Sequence, residues 1–242
     1  MKKILSLTLL IAVMLTTFIT SCKKSSDKKP DYTCATCKTT PDAVAANDNS
    51  SKGIYKGIVV GSTGTIKFDI NNAGNTVTAT LVIDGVTVNL TSAITWTAGV
   101  AYTAPFTGTL NGAAVTINFT VSDTGEGPSV TSSNIPGHAG AVFSLAKESS
   151  TALVEAYEGT YTTTKPESGT FNILLSRALA RWGAVARKDG SSEASHGNGT
   201  IVNGVLIDTS NKSIGTLSGD GIDGKFTDSN GITITLTGKR TL

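Results

Sequence analysis

The chain has little of what most enzyme and metal sites are built from. His138 and His196 are the only histidines, and they are far apart in sequence. No His-Glu-x-x-His helix or paired-histidine zinc spacing can be drawn from them. A general base with an orienting partner has few candidates, and both histidines fall in stretches that read as loops, Pro136-Gly137-His138 and Ser195-His196-Gly197-Asn198-Gly199. A Gly-x-Ser-x-Gly elbow, which would aim a serine nucleophile, is absent. There are three cysteines, too few for a disulfide framework. Charged residues make up only 16%. Twenty basic residues less Lys2 and Lys3 leave 18 against 18 acidic ones, so the chain beyond residue 21 is formally neutral and has no electrostatic footprint for nucleic acid.

Carboxylates are present, but they sit beside turns: Asp69, Asp84, Asp123, Glu126, Asp220 and Asp223. Asp favours turns because its side chain hydrogen-bonds the nearby backbone. Glycoside hydrolysis needs two carboxyls held at a fixed separation across a cleft. Gly219-Asp220-Gly221-Ile222-Asp223-Gly224 gathers hard oxygen ligands but lacks the 12-residue calcium loop and its closing glutamate, so it reads as a tight turn. The expectation is no cofactor and no metal, with catalysis unassigned.

Long apolar runs are also missing, apart from one. Lys2 and Lys3 precede Ile4 to Ile19, a run of 16 residues that is short for a membrane span. Ile19-Thr20-Ser21-Cys22 closes it with small residues before a cysteine. That tetrad resembles the lipobox of bacterial lipoproteins, and Ser21-Cys22-Lys23-Lys24-Ser25-Ser26-Asp27 is similar to the start of many Bacteroidota lipoproteins. The resemblance implies a signal peptide over 1–21, lipidation at Cys22 and a membrane anchor made of acyl chains. One chain alone would bind only marginally. Lys23 follows the cysteine where an inner-membrane retention signal would place an aspartate. The acidic stretch of surface-exported lipoproteins is basic here. The resemblance therefore implies an outer-membrane anchor facing the periplasm, with the cell surface as the alternative.

Residues 22–51 are rich in Lys, Ser, Asp, Thr and Asn and poor in large apolar side chains. They read as a flexible linker. Within it, Cys34-Ala35-Thr36-Cys37 is a candidate local disulfide. A redox dithiol needs the helix N-terminus of a βαβ unit, and no such pattern surrounds it.

From Gly53 the pattern turns to period two. Ile66, Phe68 and Ile70 alternate with polar residues, as do Val77, Ala79, Leu81 and Ile83, and later Val115, Ile117, Phe119 and Val121. Asp84-Gly85 and Asn111-Gly112 join such runs as type I′ hairpin signals, so consecutive strands should pair antiparallel. Asp123–Gly140, with Gly125-Glu126-Gly127-Pro128 and Ile135-Pro136-Gly137-His138, includes long loops. Further on, Asp189-Gly190, Asn203-Gly204, Asp223-Gly224 and Asn230-Gly231 give more hairpin signals, while Leu174–Trp182 reads as strand or short helix.

The opening motif returns across a seam at 148–158, where 149–155 reads as one helical turn or a plain connection. Tyr55-Lys56-Gly57 is echoed by Tyr157-Glu158-Gly159, Gly64-Thr65-Ile66 by Gly169-Thr170-Phe171, and Gly108-Thr109-Leu110 by Gly215-Thr216-Leu217. The expectation is an all-β chain of two tandem antiparallel meanders, 53–148 and 155–242, each a small up-and-down barrel or alternatively a β-sandwich. The Tyr-x-Gly start and Gly/Thr-rich meander are similar to calycin-like envelope lipoproteins, relatives of the lipocalins in the broad sense. That implies a non-enzymatic binding or structural module for a small apolar ligand, a glycan or an envelope protein. The other readings are a hydrolase of glycan or cell wall, and a redox accessory acting through Cys34 and Cys37. Candidate ligand contacts are Trp96, Tyr102 and Phe106 in the first unit, and Arg177, Arg181 and Trp182 in the second.

Overall fold

A computed structural model describes residues 32–60 and 64–242. Cys22 and the signal segment lie outside them. No helix among the described residues is long and apolar enough to cross a membrane. Their only helix is a 3₁₀ turn at Ala45–Asn47, and the rest of the architecture is sixteen β-strands in two eight-stranded antiparallel sheets.

The first sheet runs β1 (Gly53–Val60), β2 (Gly64–Ile70), β3 (Val77–Ile83), β4 (Val86–Thr91), β5 (Tyr102–Leu110), β6 (Ala113–Val121), β7 (Ser129–Asn134) and β8 (Val142–Glu148). Consecutive strands pair, and β8 returns to pair with β1. The β7 and β8 edges do not hydrogen-bond, so this barrel stays just short of closure. The second sheet comprises β9 (Glu155–Thr163), β10 (Ser168–Ser176), β11 (Arg181–Lys188), β12 (Ala194–Val202), β13 (Val205–Asp208), β14 (Ser213–Ser218), β15 (Gly221–Thr227) and β16 (Thr233–Arg240). It closes fully when β16 pairs with β9, which removes every edge.

Alternation gives each barrel its own core. In the first, Phe68 stacks on Phe119 at 4.4 Å between ring centres and meets Phe106 edge-on at 4.9 Å, with Tyr55 5.2 Å from Phe119. These rings fill the interior. Asp84-Gly85, Asn111-Gly112 and Asn203-Gly204 take positive φ at both positions, as the tight hairpins require. The Tyr-x-Gly echo is structural. Tyr55 faces Phe68 and Gly57 faces Ile66 across β1–β2, just as Tyr157 faces Ile173 and Gly159 faces Phe171 across β9–β10.

Several local expectations change. Gly108–Leu110 ends the fifth strand of its unit, whereas Gly215–Leu217 lies in the sixth, so that echo is not an equivalence. Asp223-Gly224 lies inside β15 and not at a turn. A Cβ at Gly224 would run into the Ile214 carbonyl, so the glycine serves close strand approach. Ser195–Gly199 is strand β12, not loop, while 123–140 does hold the two expected loops, with β7 between them. Leu174–Trp182 is the end of β10, a turn with Ala180 at positive φ, and the start of β11.

The two barrels also share a third core. β1 is buried on both faces, and the side chains it points outward, Ile58 and Val60, pack with Val154, Ala156, Leu174 and Val185. Beside them Lys56 and Glu148 form a fully buried ion pair at 2.5 Å.

The largest correction concerns residues 32–51. They do not behave as a free linker but as a strap tied under both barrels. Polar side chains that cannot form a core of their own are satisfied by the barrel ends instead. At the second barrel Asp220 accepts from the Cys34 amide at 2.8 Å, the Asp220 amide donates to Tyr32 O, and Arg240 donates to Lys38 O at 2.5 Å. At the first, Asn47 donates to Asn72 O at 2.8 Å, and Lys147 donates to the carbonyls of Asn47 and Ser50. Lys147 and Arg240 face Tyr55 and Tyr157 in the two closing strands, so the same register position in each barrel supplies a cation to the strap.

Candidate functional site

The second barrel is hollow. A cavity of ≈390 Å³ occupies its interior, with Phe171, Ile173, Trp182, Phe226, Ile234 and Leu236 on its walls. The cause is local sequence. Where β3 and β4 point Leu81, Ile83, Val88 and Leu90 inward, β11 and β12 point Ala184, Ala186, Ser195 and Gly197. An eight-stranded barrel is just wide enough to be filled by side chains or to hold one small molecule, so small residues on two adjacent strands leave a void. A Cβ on Gly197 would meet only the Trp182 ring, at 3.6 Å.

One end of this barrel is plugged. Glu155, 3% exposed, accepts from Arg177 Nε at 3.0 Å and from the Tyr157 hydroxyl at 3.0 Å, and lies 3.6 Å from Arg240 Nε. Arg177 Nη2 reaches the Tyr157 hydroxyl at 2.8 Å and Gly219 O at 3.0 Å. Burial pushes the Tyr157 hydroxyl far above its ordinary range, and the Glu155 charge pushes the same way. Desolvation opposes the Arg177 charge, but Glu155 and Tyr157 outweigh it and raise that guanidinium. Asp220 and Arg240, at 3.3 Å, then fasten the strap to the outside of the plug.

The other end carries polar side chains, most of them already engaged. Asp208 accepts from the amides of Ser210 and Lys212 at 2.8 Å each, and Asp228 from those of Asn230 and Ile232 at 2.8 and 2.9 Å. Glu167 pairs with Lys188 at 2.9 Å. Hydrogen bonding to Lys188 holds the Glu167 carboxyl below its usual range, and the Ile232 amide does the same for Asp228. A general acid needs the opposite shift.

Of the residues expected to contact ligand, Trp182 alone reaches the cavity. Its indole is fixed by donating to Thr200 O and Ile207 O, both at 3.1 Å. Arg177 is spent in the plug. Arg181 lines a separate groove of ≈200 Å³ where β8 meets the β10–β11 hairpin. Phe106 is wholly buried in the first core, and Tyr102 donates to Ile94 O at 2.9 Å. Trp96 donates to Ser51 Oγ at 2.8 Å, with Lys52 4.3 Å over its ring. These three hold the first barrel and its strap together and line no opening, because that interior is filled by aromatic rings. His138 sits 3.2 Å from Asp84 and mostly buried. His196 is among the residues lining the cavity, but its strand partner Val185 packs between the barrels, so by alternation it gives the wall its backbone while its imidazole leans away from the chamber.

Cys34 and Cys37 are joined as a disulfide within the strap. Among the described residues no three His, Cys, Asp or Glu side chains converge as metal ligands. Sequence reasoning passed over Tyr161, Ala184, Ala186 and Gly197. The readable signal was the run of small residues at alternate positions of β11 and β12, which its glycines disguised as a loop.

No family model and no curated protein matches the chain. Among solved structures, the crystal structure of MucB in complex with MucA(peri) is similar at 11% identity and a TM-score of 0.17, over 82% of this chain and 90% of that one. A score that low carries no argument about fold or function.

Proposed function

We propose that the protein is a lipid-anchored envelope lipoprotein whose second barrel is a container for a small, mainly apolar ligand, and that it performs no chemistry on it. One observation carries this reading: the apolar-walled cavity of ≈390 Å³ in a closed barrel that is plugged at one end and open at the other. That volume lies in the range of small-molecule sites. The N-terminal pattern supports the anchor through Cys22, and the calycin-like meander supports the container. The anchor would face the periplasm from the outer membrane. A glycan or cell-wall hydrolase is less well supported, because the carboxylates at the open end are spent on their own turns and on Lys188. The disulfide staples the strap beneath the barrel plug, which favours a structural role for Cys34 and Cys37 over a redox one.

The direct test fills the container. Gly197→Leu places a side chain over the Trp182 ring without a backbone clash. Wild-type protein should bind N-phenyl-1-naphthylamine with one-to-one stoichiometry and a change in Trp182 emission. The variant should bind at least tenfold more weakly and melt no lower. Equal binding by a well-folded variant would end the reading. Separately, Cys22→Ala should move the protein to the soluble fraction, and continued membrane fractionation would remove the lipid anchor.

A further inference from the structure

The polar groups around the cavity say what kind of molecule it accepts. None of the lining residues is a lysine or arginine, and His196, the one basic side chain among them, alternates away from the chamber, so no fixed cation waits for an anionic head group. The carboxylates that line the open end are engaged: Glu167 with Lys188, Asp208 with the Ser210 and Lys212 amides, Asp228 with the Asn230 and Ile232 amides. Lys212 is likewise used, reaching Thr227 O at 3.4 Å. Lys165 lies close enough to Glu167 and Asp228 to lower both carboxyls slightly. Thr163 Oγ1 donates to Lys165 O at 2.6 Å.

Two hydroxyls are left. Ser195 and Tyr161 both line the cavity, and neither side chain makes a hydrogen bond among the described residues. Tyr161 is half-buried. Its ring lies across Gly169, whose missing side chain makes room for it. Burial raises the Tyr161 hydroxyl above its ordinary pKa, and the Asp189 and Glu167 charges act in the same direction. It is therefore a neutral donor and acceptor placed between an apolar chamber and water.

We infer that the ligand of this cavity is an uncharged amphipathic molecule, an apolar body carrying a hydroxyl or carbonyl that hydrogen-bonds to Tyr161, and not a fatty-acid-type anion or an amine. An anionic head would meet the Glu167, Asp208 and Asp228 carboxylates with no lysine or arginine on the wall, and an ammonium would have to compete for carboxylates already held by Lys188 or by backbone amides, costs that a neutral head avoids. This inference rests on the container reading proposed above.

The experiment uses three probes with the same ten-carbon chain, namely 1-decanol, decanoate and decylammonium. Each competes with N-phenyl-1-naphthylamine for the full-length protein at pH 8. Decanol should displace the reporter at a concentration at least tenfold lower than either ion. Because an alcohol is also the more apolar of the three, Tyr161→Phe supplies the second reading. It should weaken decanol about fivefold, the size of one ordinary hydrogen bond, and more than it weakens the reporter, which carries neither a hydroxyl nor a carbonyl. The inference is overturned if either ion competes within threefold of decanol, or if Tyr161→Phe leaves decanol within twofold of wild type. If the reporter itself fails to bind, or Gly197→Leu does not block it, the container reading falls and takes the inference with it.

Discussion

Glu148 offers the sharpest test of how the two barrels are joined. Its carboxylate accepts from Lys56 Nζ at 2.5 Å, from the Asp42 amide of the strap at 2.7 Å and from the Val154 amide of the seam at 3.0 Å. Both charged side chains are fully buried. Glu148→Ala would leave the Lys56 ammonium with Val154 O at 3.4 Å as its remaining hydrogen-bond acceptor and the Asp42 charge acting on it from farther off, and two amides without acceptors. Breaking a buried pair from one side costs about 3–5 kcal/mol. Each orphaned amide adds about 1–3 kcal/mol. These overlap, since the pocket would admit water, and a net loss of about 4–6 kcal/mol is expected. Against a total of about 5–15 kcal/mol that is a large share. Equilibrium urea unfolding measures it. The companion variant Lys56→Met/Glu148→Leu removes both charges and should recover at least about 1 kcal/mol of the loss, because no ammonium is stranded. A single variant that costs under about 1 kcal/mol would refute the argument. So would a double variant no better than the single.

The remaining predictions concern the strap, the two interiors and the shared core. Asp48 is held below its ordinary pKa of 3.8 by the Ser150 amide and hydroxyl. Burial pushes the Asp42 carboxyl up, but Lys67, Lys38 and Lys56 outweigh it and hold that group below 3.8 as well. Both folded values are depressed, so their contribution is complete above 3.8 and is lost as pH falls through the folded values. Hydrogen exchange of the Ser150 amide should stay slow down to about pH 4 and quicken only below it; release between pH 5 and 7 would contradict the sign. Phe119→Ala, in the filled barrel, should cost about 3–5 kcal/mol, whereas Phe226→Ala, on the wall of an existing void, should cost clearly less. Equal costs in calorimetry would mean that the two interiors are packed alike. Proteolytic nicking between Ser149 and Leu153 should leave the halves associated on size exclusion, because Ile58, Val60, Leu174 and Val185 pack across the join; separate elution of two folded fragments would remove the shared core.

The sequence alone carried the strand pattern, the tight hairpins and the doubling of the unit. Those depend on neighbours a few residues apart: alternation sets one face of a strand, and Asp-Gly or Asn-Gly supplies the positive φ of a two-residue turn. It also placed a disulfide partner within three residues of Cys34, where reach is local. Tertiary structure decided the rest. Whether a polar stretch such as 32–51 floats or docks depends on acceptors and donors over a hundred residues away, at Glu148, Asp220 and Arg240. Whether Gly197 marks a loop or the wall of a chamber depends on the strands it lies between. Whether Phe106 or Phe226 faces a ligand depends on what the opposite wall contributes, and only closure of the sheet brings those walls together. Arg177 was legible as a cation near Trp182, yet its role as part of a plug was set by Glu155 and Tyr157 on another strand. A sequence states what each residue prefers next to its chain neighbours. Volume, and the satisfaction of buried charge, belong to the closed barrel.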